Sequence, residues 1–583
     1  MRFYRPFVAA ALLAGVAGCS SPLERASTEE LRHSIVDAAR REVEGARASG
    51  PADIGPMMAD REPGGVQFSD RELQRLEDEG FRPPSAYGRT TPGLGPDLLG
   101  GDSTTFQVSL EQAIGSALRH NLAVESARLA PAISDAQVTE AQAAFDWIFF
   151  ASGEWSKVDR ENQVPLVGGI PVGSAGTRSE SLGFETGLRR RLTSNGTFAV
   201  TAGQTRSELL SRGTSLDPDP AQSTFVQFDL TQPLLRDLGS DIALAEVRFA
   251  ENEARADVHR LHATLINNVL QVERAYWQLY GAMRVLQIQY QLLERGIATR
   301  DHLENRGYDT TSSQVADARA TVENRRAAIL RAAAALRQRS DELKRLINDP
   351  QLTVGSEIVL LPIDDPLDES IRYSLPDALT TAFATRPEVH LALLAIDDSS
   401  IRQRIADNAR LPLLDLGFQA RYQGLDRDTD EAWEDVNNTD YANYVMRLNF
   451  EQAIGNRAAE AAYRRAQLER VASTVQYRQS LQDITLEIKT ALRTVLTNYR
   501  LIEQARSTRL AAAESLRTHR AREQLDGLTP TNLDLRFRRQ ESLAAAEVQE
   551  VQALLDYNTA IAALYAAMGT ALERNGIRFD VEE

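Results

Sequence analysis

Residues 258–293 read VHRLHATLINNVLQVERAYWQLYGAMRVLQIQYQLL, and they hold the clearest structural pattern in the chain. Apolar side chains recur there at steps of three and four residues, at Val258, Leu261, Leu265, Val269, Val272, Tyr276, Leu279, Met283, Leu286, Tyr290 and Leu293. This spacing is typical of a heptad seam, in which one side of a long helix packs against another helix. No proline lies between Pro233 and Pro350. A helix from Ser240 to about Asn305 would be roughly 100 Å long at ~1.5 Å per residue.

A second long helix with the same pattern is predicted further along the chain. Its seam is formed by Leu481, Ile484, Ile488, Leu492, Val495, Tyr499 and Ile502. No proline lies between Pro412 and Pro530. Glycines interrupt the two patterns, in residues 305–310 and 525–530, and a returning helix is predicted after each interruption. The sequence therefore predicts two antiparallel coiled-coil hairpins, each with a tip.

The two halves of the chain repeat each other at an offset of 265 residues. Val108-Ser109-Leu110 recurs as Tyr373-Ser374-Leu375, and Ala113-Ile114 recurs as Ala378-Leu379. Such self-similarity indicates two copies of one structural unit. Each copy is predicted to contain a short helix, a longer amphipathic helix, a strand, a polar loop, a second strand and the coiled-coil hairpin.

The predicted strands have one apolar and one polar face. Alternation is clearest in repeat 2, where apolar Leu414, Leu416, Phe418, Ala420 and Tyr422 alternate with Asp415, Gly417, Gln419 and Arg421. Repeat 1 has extra residues between its strands, and residues 182–202 are predicted to form a hairpin around Asn195-Gly196. One chain thus offers four strands, or six with this hairpin, whereas membrane barrels need at least ~8 strands to close. Further copies of the chain must supply the missing strands.

The amino terminus resembles the signal of a bacterial lipoprotein. Arg2 and Arg5 precede an apolar stretch, which ends at Ala17-Gly18-Cys19. A small-small-Cys ending is similar to a lipobox, so residues 1–18 are predicted to be removed and Cys19 to be acylated. The alternative is a plain signal peptide that is cut nearby. Residues 19–105 are predicted to be an arm, helical to about Ala48 and then too rich in Pro and Gly for a packed core.

Composition and motifs exclude several classes of function. The 583 residues carry a net charge of −17, which disfavours binding to nucleic acid. A single cysteine excludes a disulfide framework and a cysteine metal site. His259 and His262 are spaced for a metal but lack a third ligand, and no catalytic motif is present. The sequence therefore predicts no enzyme, no cofactor and no resident metal.

Residues 106–575 resemble the TolC-like outer-membrane efflux proteins. The resemblance rests on the repeated Ser-Leu-x-x-Ala opening, the strand exits at residues 232–236 and 454–457, the glycine tips, and the closing run from Asp556 to Gly569. It implies a homotrimer whose strands form one β-barrel in outer-membrane lipid, continued by a helical tunnel across the periplasm. It also implies a periplasmic adaptor that meets the tips and an inner-membrane pump behind that adaptor. The expected fold is mainly α with a membrane β-barrel part shared between three protomers, and twelve or eighteen strands for the trimer remain open.

The resemblance also indicates site residues. The tips expected to contact the adaptor are Gly307, Tyr308, Asp309 and Thr310 in repeat 1 and Gly527, Leu528, Thr529 and Pro530 in repeat 2. Asp526 and Asp534 are candidates for a tunnel constriction, which family members often build from aspartates near the second tip. Acidic residues also crowd the loop from Asp426 to Asp435, where a solvated external loop is the simplest interpretation.

Six segments are predicted along the chain. They are the signal peptide (1–18), the lipidated arm (19–105), repeat 1 (106–355), a linker (356–370), repeat 2 (371–575) and a tail (576–583). The predicted function is that of a passive exit duct in the outer membrane, which lets solutes pass under the drive of the pump. The alternative is a lipid-anchored periplasmic coiled-coil scaffold without a pore.

Overall fold

The computed structural model describes residues 22–48, 69–87, 93–96, 98, 100–101, 103–161, 166–168, 170–171, 176–210, 217–305, 311–439, 441–526 and 529–579. The helices in these ranges are α1 (Pro22–Ala48), α2 (Asp70–Asp78), α3 (Leu110–His120), α4 (Leu122–Gln142), α5 (Ser240–Ala243), α6 (Ala245–Asn305), α7 (Ser312–Ile347), α8 (Leu375–Thr385), α9 (Pro387–Asn408), α10 (Thr429–Asn438), α11 (Arg457–Asp526), α12 (Pro530–Ala567) and α13 (Ala571–Arg574). The strands are β1 (Thr105–Val108), β2 (Ile148–Glu161), β3 (Leu166–Val167), β4 (Ile170–Pro171), β5 (Gly176–Arg191), β6 (Thr197–Leu209), β7 (Ala221–Pro233), β8 (Val359–Pro362), β9 (Leu413–Asp426) and β10 (Ala442–Glu451). Over the described residues, every helix is too short or too polar to span a membrane.

The predicted repeat is present in the structure. Helices α3 and α8, and strands β2 and β9, begin and end at residues that differ by 265. The serine of each repeated opening caps the short helix: the Ser109 side chain accepts a hydrogen bond from the Gln112 amide, and Ser374 accepts one from Asp377. Such capping satisfies amides that have no partner within the helix. The shared motif therefore marks a helix start in both copies.

The chain divides into two compact units, which are described separately. The first comprises Met1–Pro131, Asp257–Ala392 and Thr474–Glu583. Its core contains the central part of the predicted seam of α6, from Leu265 to Leu286, packed with Leu336 and Leu343 of α7. Gly281 lies against α12, where an added Cβ atom would be 2.5 Å from a methyl carbon of Leu555. A glycine is thus required where these two helices approach each other.

The second unit, Ala132–Ala256 and Leu393–Ser473, contains a six-stranded antiparallel sheet. The strand order is β10-β9-β7-β6-β5-β2. Strands β7 and β9 pair from Gln222↔Asp426 to Pro233↔Asp415, so this pair joins the two repeats. The extra residues of repeat 1 form β5 and β6, which we call the inserted hairpin. It lies between β2 and β7, and the predicted hairpin at residues 182–202 is therefore part of the sheet.

One expectation about an irregular segment was wrong. The arm does contribute to a packed core, because Leu76 of α2 and Phe81 are buried against Ala513, Leu516 and Leu543. A capping box between Ser69 and Glu72 starts α2 in this stretch. The acidic segment between β9 and β10, interpreted from the sequence as a solvated loop, contains the helix α10, and its Asp430 and Glu431 are exposed.

The segment predicted as a linker also contains regular structure. Strand β8 pairs in parallel with β1, from Thr105↔Val359 to Val108↔Pro362. The Tyr276 hydroxyl donates a hydrogen bond to a carboxylate oxygen of Asp364 at 2.8 Å. It also accepts hydrogen bonds from the amides of Ile363 and Asp364. Strand pairing and this buried hydroxyl hold the connection between the repeats against α6.

Candidate functional site

The two predicted tips differ in how much of them the structure describes. Gly307, Tyr308, Asp309, Thr310, Gly527 and Leu528 lie outside the described residues, as does Cys19. The returning helices are described, and each begins after a threonine cap. The Thr311 side chain accepts a hydrogen bond from the Gln314 amide, and Thr529 accepts one from Asn532. Sequence reasoning missed Thr311, although threonine followed three residues later by glutamine is a capping-box signal.

Side chains next to the two tips pack together. Leu303 at the end of α6, Ala318 of α7, and Leu533 and Phe537 of α12 form one buried cluster. The Arg325 guanidinium lies 5.4 Å from the centroid of the Phe537 ring. Burial lowers the pKa of Arg325 to about 10. The two hairpins thus end side by side.

Polar side chains on α12 near the second tip form a set of ion pairs. Asp534, one of the two constriction candidates, is exposed and pairs with Arg538 at 3.0 Å. The other candidate, Asp526, ends α11, and its side chain lies outside the described residues. Arg536 pairs with the buried Glu523 of α11 at 2.9 Å. Only part of this charged stretch therefore faces solvent.

The six-stranded sheet has two chemically different faces. In the pairing of β10 with β9, Met446 lies opposite Phe418 and Leu448 lies opposite Leu416. On the other side of β9, Leu230 of β7 lies opposite Phe418. Because side chains alternate between the faces, these residues lie on one face, which we call the apolar face. The opposite, polar face carries the charged residues Glu154, Glu185, Arg189, Asp229, Asp415, Arg421 and Arg447. On the apolar face, Met446 and Leu448 are 74% and 66% exposed in the single chain.

A buried carboxylate attaches the arm to the helices. Glu547 of α12 is 1% exposed, and it accepts hydrogen bonds from the Tyr87 hydroxyl at 3.1 Å and from Arg295 at 3.4 Å. Burial raises the pKa of Glu547, and it also raises the pKa of Tyr87. Nearby, Arg509 pairs with the buried Glu550. Sequence periodicity did not identify these residues, because Glu547 and Glu550 interrupt the apolar pattern.

The histidines considered as metal ligands are stacked on other rings. His259 lies 4.6 Å from His390 and His262 lies 4.8 Å from Phe579, measured between ring centroids. Burial, followed by the charge of neighbouring histidines, lowers the pKa of His259. Within the part of the chain that the structure describes, no group of three or more His, Cys, Asp or Glu side chains is arranged to hold a metal ion.

Sequence comparison identifies a family for the second repeat. Residues 378–570 match the profile of the family described as outer membrane efflux protein. The matched region contains β9, β10, α11 and α12, and therefore includes the second tip. This match confirms the predicted resemblance and function class, and it agrees with the prediction that the chain is not an enzyme. A comparison with curated protein sequences finds no match.

Solved structures with a similar fold include channels of the outer membrane. The Campylobacter jejuni CmeC outer membrane channel is 15% identical, with a TM-score of 0.58 over 79% of this chain and 86% of that chain. The open state of the Neisseria gonorrhoeae MtrE outer membrane channel is 18% identical, with a TM-score of 0.53 over 79% and 89%. The Vibrio cholerae outer membrane protein VceC is 14% identical, with a TM-score of 0.55 over 79% and 96%. At these identities the similarity establishes the fold and confirms the predicted mainly helical fold class.

Proposed function

We propose that three copies of this chain form a passive exit duct through the outer membrane and across the periplasm. The strands of the three copies close one barrel in lipid, and the coiled-coil hairpins continue it as a helical tunnel. The observation that carries this proposal is the six-stranded sheet, which has a largely apolar face with exposed side chains, a charged face and two open edges.

The open edges support closure by further copies. Among the described residues, strands β2 and β10 end the sheet, and each has a neighbouring strand on one side only. Unpaired backbone groups in lipid cost several kcal/mol each, so a sheet with free edges is not stable there. Pairing of β2 in one copy with β10 in the next removes every edge.

Exposed apolar side chains on the helices support the same assembly. Leu468, Val471 and Val475 of α11 are 62%, 45% and 47% exposed and follow each other at steps of three and four. This is the spacing of a seam that another helix covers. On α4, Leu122 and Leu129 are exposed at a spacing of seven. We propose that neighbouring copies cover these stripes in a homotrimer.

The remaining elements fit the expected partners. The tips, including the exposed Thr529 and Pro530, would meet a periplasmic adaptor, which connects the duct to an inner-membrane pump. Asp534, with Asp526, would narrow the tunnel entrance. Acylated Cys19 would anchor the arm in the outer membrane.

Extraction of a Cys19→Ala variant tests this function against the scaffold alternative. A barrel still requires detergent for extraction when the lipid anchor is lost, whereas an anchored scaffold becomes extractable with buffer. The unsubstituted chain serves as the control, and the mass of the detergent-solubilised particle should correspond to three copies. Buffer-soluble monomers of the variant would refute the proposed duct.

A further inference from the structure

We infer that the inserted hairpin is part of the lipid-facing wall, so that each copy brings six strands to the shared barrel and three copies bring eighteen. The other arrangement is a barrel of twelve strands, with the hairpin outside it. This inference rests on the proposed function and adds the size of the barrel and the surface that contacts lipid. The inserted hairpin lies outside the residues that match the efflux family, so that match does not assign it a role.

Strand pairing makes the inserted hairpin inseparable from the rest of the sheet. Every residue of β2, from Ile148 to Glu161, is paired with β5. Strand β6 pairs with β7 from Thr197↔Thr231 to Ser207↔Ala221. To exclude the hairpin, β2 would have to give up its full ladder and pair with β7 instead. The observed strand order therefore favours six strands in the wall.

Close packing on the polar face fits the hairpin to its neighbours. A Cβ atom on Gly187 of β5 would be 2.8 Å from the Phe150 ring of β2. A Cβ atom on Gly203 of β6 would be 2.5 Å from the Phe225 ring of β7. Each glycine thus leaves room for an aromatic side chain from the adjacent strand. The hairpin is packed into the sheet from both sides.

On the apolar face the hairpin carries no charge from Leu182 to Leu188 of β5 and from Phe198 to Gln204 of β6, and Glu180, Arg190 and Arg206 lie beyond these stretches. One row of register-paired residues crosses all six strands: Tyr444, Ala420, Phe228, Val200, Leu188 and Phe149. Of the charged residues of β5 near this row, Glu185 and Arg189 lie on the polar face, and Arg190 lies at the end of the apolar stretch. A hairpin outside the barrel would have no need for an uncharged face continuous with that of β9 and β10.

The height of the uncharged face matches a bilayer. On the apolar face, Trp147 and Trp155 lie eight residues apart, or ~27 Å along a strand and roughly 20 Å along the axis of a barrel tilted by ~40°. Outer-membrane barrels have an apolar band ~25 Å high, with aromatic residues at both borders. The Arg190 guanidinium lies 5.6 Å from the Trp147 ring centroid, and the Trp155 indole donates a hydrogen bond to Glu180 at 3.0 Å. Both charged partners belong to β5, so the hairpin helps to define both borders.

Helix α10 covers one end of the apolar face on β6 and β7. The Thr224 hydroxyl of β7 donates a hydrogen bond to the Ala432 carbonyl at 2.7 Å, and the Gln204 amide of β6 donates one to Thr429 at 3.1 Å. The inserted strand β6 and the strand β7 are thus covered at the same level. Acidic residues of α10, such as Glu434, are exposed there, which places this level in water.

Lipid contact can be measured with single cysteines carrying an environment-sensitive fluorophore. Labels at Leu188→Cys and Val200→Cys report on the apolar face of the hairpin. A label at Met446→Cys reports on the apolar face of β10, which lies within the residues that match the efflux family, and a label at Thr201→Cys reports on the polar face. The full-length trimer is placed in vesicles whose lipids carry a nitroxide quencher in the acyl chain. The unsubstituted chain, whose one cysteine is Cys19, gives the background of labelling.

We expect the labels at Leu188, Val200 and Met446 to be quenched to a similar extent and the label at Thr201 to be unaffected. Quenching at Met446 without quenching at either hairpin position would refute the eighteen-stranded wall and leave the proposed duct intact. Absence of quenching at all three positions would refute the proposed duct together with the inference. Two hairpin positions are used because one cysteine could disturb local packing.

Discussion

An arginine placed on the apolar face of the inserted hairpin should prevent assembly in the membrane. Val200 and Thr201 are adjacent on β6, both are half-buried and β-branched, and they point to opposite faces of the sheet. We expect Val200→Arg to abolish assembly and Thr201→Arg to preserve it. The pair differs only in which face receives the charge.

The magnitude follows from the depth of Val200. It lies near the middle of the uncharged stretch of β6, between Phe198 and Gln204. An arginine on the lipid face of a barrel costs ~2–4 kcal/mol near the bilayer midplane, and less towards the borders. A trimer contains three such charges, so the total is roughly 6–12 kcal/mol. This is comparable with the whole net stability of a typical folded domain, ~5–15 kcal/mol.

The assay is the amount of trimer in the outer membrane after expression of each variant at equal levels, measured by native electrophoresis of detergent extracts. On the polar face Thr201→Arg points into water beside Arg189, so its effect should be small. Assembly of Val200→Arg at the level of Thr201→Arg would refute the placement of the hairpin in lipid.

Three further predictions concern the helices. Gly281→Val should lower the free energy of unfolding by ~1–3 kcal/mol, because the new side chain overlaps Leu555. Gly115→Ala is the control and should not lower it, because the space around Gly115 is open. Thermal unfolding measures the difference, and equal melting temperatures of the two variants would contradict the packing argument. Thr529→Ala should destabilise the start of α12 by ~0.5–2 kcal/mol, whereas Thr529→Ser keeps the capping hydroxyl and should not. Hydrogen exchange of the amides in the first turn of α12 measures this difference. Equal protection of these amides in both variants would exclude a capping role. Burial lowers the pKa of His259 below its ordinary value of 6.5, so its contribution to stability is present above pH 6.5 and is lost as the pH falls below that value. His259→Phe should therefore reduce the loss of melting temperature between pH 7.5 and pH 5, and an unchanged loss would show that other groups cause it.

Local periodicity made the helices and the faces of the strands predictable. The seam from Leu265 to Leu286 is buried, because steps of three and four place those residues on one side of a helix whatever its partner is. The alternation from Leu414 to Tyr422 likewise assigned residues to the two faces of β9 before its neighbours were known. The repeat at an offset of 265 residues showed that both halves have the same local plan.

Features that depend on distant residues could not be predicted in this way. The arm was expected to be unpacked because Pro and Gly are frequent in it, yet Leu76 and Phe81 are buried against helices more than 400 residues away in the chain. The tip cluster is similar, since Leu303 and Phe537 meet only when the two hairpins lie side by side. Glu547 accepts a hydrogen bond from Tyr87 of the arm and pairs with Arg295 of α6, and no periodic pattern indicates such contacts.

The chain by itself thus determined two repeats, their long helices and the existence of an apolar sheet face, because each follows from residues close together along the chain. Only the tertiary structure decided that β7 pairs with β9, that the inserted hairpin lies within the sheet, and that the helix ends beside the two tips pack together. These are choices among partners far apart in sequence. Many partners satisfy the same local pattern, and the packing of the whole chain selects one of them.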